Sequence, residues 1–185
     1  MLFRADLDHF KRINDTYGHA AGDQVLRETA QTLRTVCRTS DTLVRWGGEE
    51  FLLVAKRSDR GQGHLIAEKL CQAVRSHEFI LPDGRVLHCT LSLGYAAFPI
   101  LDQHPEAFTW EDTLQVADQC LYAAKHAGRD GWVGVHTPGP LDNPELAPRL
   151  RVDLEGLVRE GHIQVRSSFP GGSVFQGRDI TLGHG

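Results

Sequence analysis

Two hydrophobic periods alternate along this chain. Leu2 to Leu7 reads as a short strand, with Asp6 and Asp8 at alternate positions and therefore on one face. A short helix to Asn14 and a polar turn from Asp15 to Gly22 follow. An amphipathic helix then runs from Asp23 to about Cys37, with Val25, Leu26, Ala30, Leu33 and Val36 or Cys37 as its apolar stripe. The β-prone runs Leu43 to Trp46 and Phe51 to Val54 flank Gly47 and Gly48, which favour a tight hairpin turn. His64 to His77 reads as a helix with Leu65, Ile66, Leu70 and Val74 inward. Arg85 to Phe98 alternates as one long strand, with Val86, His88, Thr90 and Ser92 on one face and Leu87, Cys89, Leu91 and Leu93 on the other. The Thr109-x-x-Asp112 signal opens the next helix and Gly128 closes it. Hairpin-connected strands with interposed helices predict an α+β domain: a mainly antiparallel central sheet flanked by helices.

The chemistry concentrates at two acidic places. Glu49 and Glu50 follow the glycine tip of the hairpin, where a bare backbone admits a large ligand and the carboxylates offer hard oxygen donors of the kind Mg²⁺ takes. An ordinary surface hairpin with solvated glutamates is the competing reading. Asp6 and Asp8 end an apolar strand, where paired acids repel unless a cation compensates them. Asp8 is alternatively the N-cap of the helix after it.

Composition narrows the partners. The 185 residues suffice for one domain with a proper core plus an extension. A net charge of −4 with scattered bases argues against DNA or RNA, so a polyanionic ligand would need a local basic cluster. Cys37, Cys71, Cys89 and Cys120 lack the paired spacing of zinc or redox motifs, and ten histidines show no ligand spacing either. No stretch has the length of a membrane span, and the N-terminus lacks signal-peptide blocks. The expectation is a cytoplasmic chain with thiols kept reduced.

The run from Asp6 to Asp23 (DLDHFKRINDTYGHAAGD), Arg38 to Asp41 (RTSD), GGEEF at Gly47 to Phe51, SLGYA at Ser92 to Ala96 and ADQCLYAAKHAGRDG at Ala117 to Gly131 together resemble a GGDEF domain, in the family's order. Enzymes of that family are diguanylate cyclases, which condense two GTP into cyclic di-GMP and two pyrophosphates. The resemblance implies a ferredoxin-like, polymerase-palm-like architecture over residues 1–136. It implies Mg²⁺ (or Mn²⁺) held by Asp6, Glu49 and the carbonyl of Leu7, with Glu50 assisting deprotonation of the ribose 3′-hydroxyl. Asn14 and Asp23 are the implied guanine readers, although each also suits a turn or cap. Gly47 and Gly48 are implied to admit substrate, and Lys11, Lys125 and Arg129 to neutralise phosphate. Lys125 and Arg129 lie four apart, so one helical face is expected to carry both, while cations at a helix end also serve the dipole. Asp130 stands where the family usually has Asn and adds negative charge beside that phosphate site.

RTSD matches the family's product-inhibition site, with Arg38 and Asp41 as cyclic di-GMP contacts and Lys69 in place of a supporting arginine; a solvated ion pair is the plain alternative. Closing a ring with two phosphodiester links implies a homodimer, because each nucleotide's hydroxyl must reach the other's α-phosphate. Family domains carry a helix and turn before the first strand, so the chain is expected to be N-terminally incomplete. Residues 137–185 are expected to form an extension of unknown role, with a linker at Pro138, Pro140, Pro144 and Pro148, a helix from Leu150 to Arg159, strand-like pieces from Ile163 to Phe175 around Pro170-Gly171-Gly172, and a tail without recognisable chemistry. Three functions stand open: an active cyclase, a GTP or cyclic di-GMP binding module without turnover, and a truncated interaction domain.

Overall fold

The computed structural model describes residues 1–101, 104–136, 146–170 and 174–175. Strands β1 (Leu2–Leu7), β2 (Thr42–Gly47), β3 (Glu50–Val54), β6 (Leu91–Ala96), β7 (Gly131–His136) and β8 (Gln164–Ser167) form a sheet in the order β2-β3-β1-β6-β7-β8. Every neighbouring pair is antiparallel except β6 and β7. That parallel pair needs a crossover, supplied by helix α4 (Trp110–Ala127). Strands β4 (Phe79–Ile80) and β5 (Val86–Leu87) make a separate small hairpin. The mainly antiparallel, helix-flanked sheet is the expected α+β class.

Strand alternation divides the interior in two. Phe3, Leu7, Leu53, Leu91, Leu93 and Tyr95 share one core with α1 (Phe10–Tyr17), α2 (His19–Val36) and α3 (Gly63–Arg75). On the opposite face Ala96, Val133 and Val135 pack with Val116, Ala117 and Cys120 of α4. Gly94 lies under α4, where a β-carbon would collide with the Ala117 carbonyl and the Leu121 amide. That close approach brings α4 down onto the face of β1 that carries Arg4 and Asp6.

Several expected boundaries move. The long strand Arg85–Phe98 breaks into β5 and β6, because β5 pairs with β4 while β6 pairs with β1 and β7. The face assignment survives the break: Cys89, Leu91 and Leu93 point into the α2–α3 core. Leu65, expected inward, is 49 % exposed, because α3 presents Ala67, Leu70, Cys71 and Val74 to the core instead. The polar turn Asp15–Gly22 contracts to Gly18, between α1 and α2.

The expected helix Leu150–Arg159 is two short helices, α5 (Ala147–Val152) and α6 (Leu154–Arg159). Asp153 sits between them and accepts a hydrogen bond from the Gly156 N–H at 2.9 Å. Leu150, Leu154, Leu157 and Ile163 are fully buried in the α4-side core, and β8 pairs with β7 through Val133↔Ser167 to His136↔Gln164. Gln119 of α4 donates to the carbonyls of Leu150 and Arg151. Pro138, Pro140, Pro144, Gly171, Gly172 and the tail from residue 176 lie outside the described residues. Among the described residues no helix is long and apolar enough to cross a membrane.

Candidate active site

Register builds the site. Asp6 of β1 stands directly opposite Glu50 of β3, so their side chains leave the same face of the sheet, and the Leu7 N–H donates to the Glu49 carbonyl at 3.3 Å. The hairpin tip is tight, with Gly48 at φ 49° and the Arg45 Nε–H donating to the Gly48 carbonyl at 2.9 Å. Over this face lies α4, whose Asp118 and Lys125 are seven residues apart and so roughly aligned along the helix. Lys125 pairs with Asp6 at 2.8 Å. Buried Arg4 donates to Asp118 at 2.5 Å and to Glu50 at 2.9 Å.

Burial pushes the Asp6 carboxyl above the ordinary carboxylate range; the hydrogen bond and charge of Lys125 pull it back, and the charges of Glu49 and Glu50 push it up again. Four carboxyl groups, those of Asp6, Glu49, Glu50 and Asp118, stand here against two cationic groups, the ammonium of Lys125 and the guanidinium of Arg4. The excess of carboxyl over cationic groups and the hard oxygen donors fit a divalent cation such as Mg²⁺. Asp6 with either of the two glutamates could hold it, since the charges of Glu49 and Glu50 both act on Asp6. Among the described residues no group of three or more His, Cys, Asp or Glu side chains is placed to hold a metal ion.

Asp8 is not a helix cap. The α1 N-cap is His9, without a side-chain bond, and Asp8 is 5 % exposed. It accepts hydrogen bonds from Ser92 Oγ at 2.6 Å, Thr90 Oγ1 at 2.7 Å and the Asp130 N–H at 3.0 Å. Asp8 therefore ties β1 to β6 and to the loop after α4. Asn14 lies inside α1, and its amide occupies the space over Gly22 where a β-carbon would sit; Asp23 is exposed in the second turn of α2. Neither is a turn or cap residue, so the bland reading of that pair loses its ground. Lys11 is exposed on α1.

Lys125 and Arg129 do not share a helical face. Arg129 lies beyond the C-cap Gly128 with φ 61°, its N–H donating to the Ala124 carbonyl at 3.1 Å. The charge of Asp130, expected to burden the phosphate site, is taken up by Arg75 of α3, whose Nε lies 2.9 Å and 3.0 Å from its two carboxylate oxygens. Asp41 forms no side-chain ion pair with Arg38 among the described residues. Its carboxylate accepts from the main-chain N–H of Arg38 at 2.9 Å and of Lys56 at 3.1 Å, leaving the Arg38 side chain exposed, and Lys69 is exposed on α3.

Sequence reasoning passed over Arg4 and Asp118. The signal was present: an arginine inside the apolar run Leu-Phe-Arg-Ala-Asp-Leu, two positions before Asp6, must find an acidic partner on the same face.

Residues 1–131 match the family described as diguanylate cyclase, GGDEF domain. Diguanylate cyclase DgcP of Pseudomonas aeruginosa is 42 % identical over 130 residues, 70 % of this chain and 18 % of the relative. Diguanylate cyclase A of Treponema denticola is 35 % identical over 129 residues, 70 % of this chain and 33 % of the relative. The chain thus spans a third or less of the length of these curated relatives. Among solved structures, the GGDEF domain of DgcB from Caulobacter crescentus in complex with c-di-GMP superposes with a TM-score of 0.63 at 31 % identity, covering 70 % of this chain and 73 % of that one. With its motifs on a palm-like sheet and its family match spanning most of the sequence, this chain belongs to the GGDEF-domain family of diguanylate cyclases.

Proposed function

We propose that the domain condenses two GTP into cyclic di-GMP and two pyrophosphates, as a homodimer in which each copy presents one nucleotide. The observation that carries this reading is the cross-strand pair Asp6 and Glu50 beside Glu49 at a tip with no side chains of its own. Asp6, Glu49 and the Leu7 carbonyl would hold Mg²⁺ or Mn²⁺, which would supply charge neutralisation for the triphosphate and the leaving pyrophosphate. Glu50, steadied by Arg4, accepts the proton of the 3′-hydroxyl. Lys125 exchanges Asp6 for phosphate oxygens, joined by Lys11 and Arg129. Gly47 and Gly48 let the triphosphate reach the main chain. The amide of Asn14 and the carboxylate of Asp23 read the acceptor and donor edges of guanine, which adenine would leave unmatched.

Product inhibition belongs to the same proposal. The exposed side chains of Arg38 and Lys69 meet phosphate, and Asp41, although it shapes the loop through two main-chain donors, keeps lone pairs for a guanine edge.

Purified protein incubated with GTP and Mg²⁺, with products separated by chromatography, tests the reading beside a Glu49→Ala, Glu50→Ala double variant. Cyclic di-GMP formed only by the unmodified chain supports it. Folded protein that makes none at high concentration, yet binds GTP, overturns the cyclase in favour of a binding module.

A further inference from the structure

Arg4 stands where four elements meet. From β1 its guanidinium reaches Glu50 on β3 at 2.9 Å, Asp118 on α4 at 2.5 Å, and the ring of Trp46 on β2, 5.5 Å from the guanidinium carbon to the ring centroid. Trp46 immediately precedes the glycine tip and Glu50 is the second residue after it, so a single side chain grips the hairpin on both of its strands. Only 7 % of the Arg4 side chain is exposed. A planar fork can hold two carboxylates at once with little freedom of either, which a lysine cannot do. Its Nη1 has no partner among the described residues, so the guanidinium is held by these contacts and not by a fuller hydrogen-bond shell.

Resting on the cyclase reading, we infer that Arg4 is a positioning residue: it clamps the hairpin to α4 through Asp118 and so holds Glu50 where it meets the attacking hydroxyl. Asp118 anchors Arg4 and does not touch substrate. The clamp acts on the orientation of Glu50 and leaves nucleotide affinity, which rests on Asn14, Asp23 and the lysines, nearly unchanged.

The test uses the full chain with Arg4→Met, Arg4→Lys and Asp118→Asn, and two readouts. The first is amide hydrogen exchange across residues 42–54 without nucleotide. Loss of the charged hydrogen bonds raises exchange there roughly tenfold in Arg4→Met. The second is steady-state turnover of GTP: kcat falls roughly 10- to 100-fold while KM stays within about twofold. Arg4→Lys recovers part of the loss, and Asp118→Asn shows the same split more weakly. Unchanged hairpin exchange and unchanged kcat in folded Arg4→Met overturn the clamp, as does a loss of global stability without the kcat against KM split. Should Arg4→Met fail to fold, Asp118→Asn decides on the same two readouts. An unmodified chain that makes no cyclic di-GMP refutes the cyclase reading alone; the exchange measurement still decides whether Arg4 fixes the hairpin.

Discussion

Replacing Asp8 by alanine separates a structural hub from a helix cap. The carboxylate is 5 % exposed and accepts three hydrogen bonds, two of them short. Alanine strands three donors. The Ser92 hydroxyl is fully buried and cannot reach water, whereas Thr90 and the Asp130 N–H are half-buried and can be rehydrated in part. A stranded buried donor costs about 1–3 kcal/mol, so the upper part of that range for Ser92 and the lower end for each of the others gives a loss of about 4–5 kcal/mol. For a chain of this size the loss lowers the melting temperature by roughly 8–20 °C. Asp8→Asn keeps the shape and one acceptor oxygen, and the hydroxyls can rotate to accept from its amide, so its loss is smaller, about 1–2 kcal/mol. Urea unfolding followed by circular dichroism at pH 7 measures both. A cap contributes about 1 kcal/mol. An Asp8→Ala loss no larger than that, or equal losses for the two variants, refutes the hub.

Gly94→Ala drives a methyl group into the backbone of α4 and is expected to cost about 3 kcal/mol or more, seen as an early calorimetric transition or as insoluble protein; a melting temperature like the parent's contradicts the close approach. Leu157→Ala empties a fully buried position on α6 and is expected to cost about 2–5 kcal/mol in the same single transition that unfolds the sheet; a separate, low-temperature transition contradicts one shared core. Burial tends to raise the Glu28 carboxyl, but hydrogen bonds from His77 and Gln24 outweigh it and leave it below its ordinary value. The stability this contributes is present above the unfolded-state value of about 4.3 and is lost as pH falls through the lower folded one. The fall in urea midpoint below that pH is therefore shallower in Glu28→Gln than in the parent, and parallel profiles count against the contribution.

Local rules carried the reading a long way. The capping box is formed as its four-residue signal requires: Asp112 N–H donates to Thr109 Oγ1 at 3.2 Å, and Thr109 N–H to the Asp112 carboxylate at 2.9 Å. The Gly47-Gly48 turn, the apolar stripe of α2 and the α+β class were equally legible, because each is decided by neighbours within a turn of helix or a strand's length. The spaced motifs identified the family for the same reason: they are strings of adjacent residues. What the sequence alone could not decide was which distant groups meet. Asp8 finds Ser92 and Asp130 from 84 and 122 residues away, and Arg4 finds Asp118 from 114. Those encounters depend on strand order, on the register Asp6↔Glu50 and on how closely Gly94 lets α4 approach. A cap, a long strand and an unneutralised Asp130 are each locally reasonable. The cap and the unneutralised Asp130 were overruled by distant partners that tertiary packing brings within hydrogen-bond distance, because a carboxylate taken out of water takes whichever partner the packing offers, and the long strand was broken because its first residues pair in the separate β4–β5 hairpin.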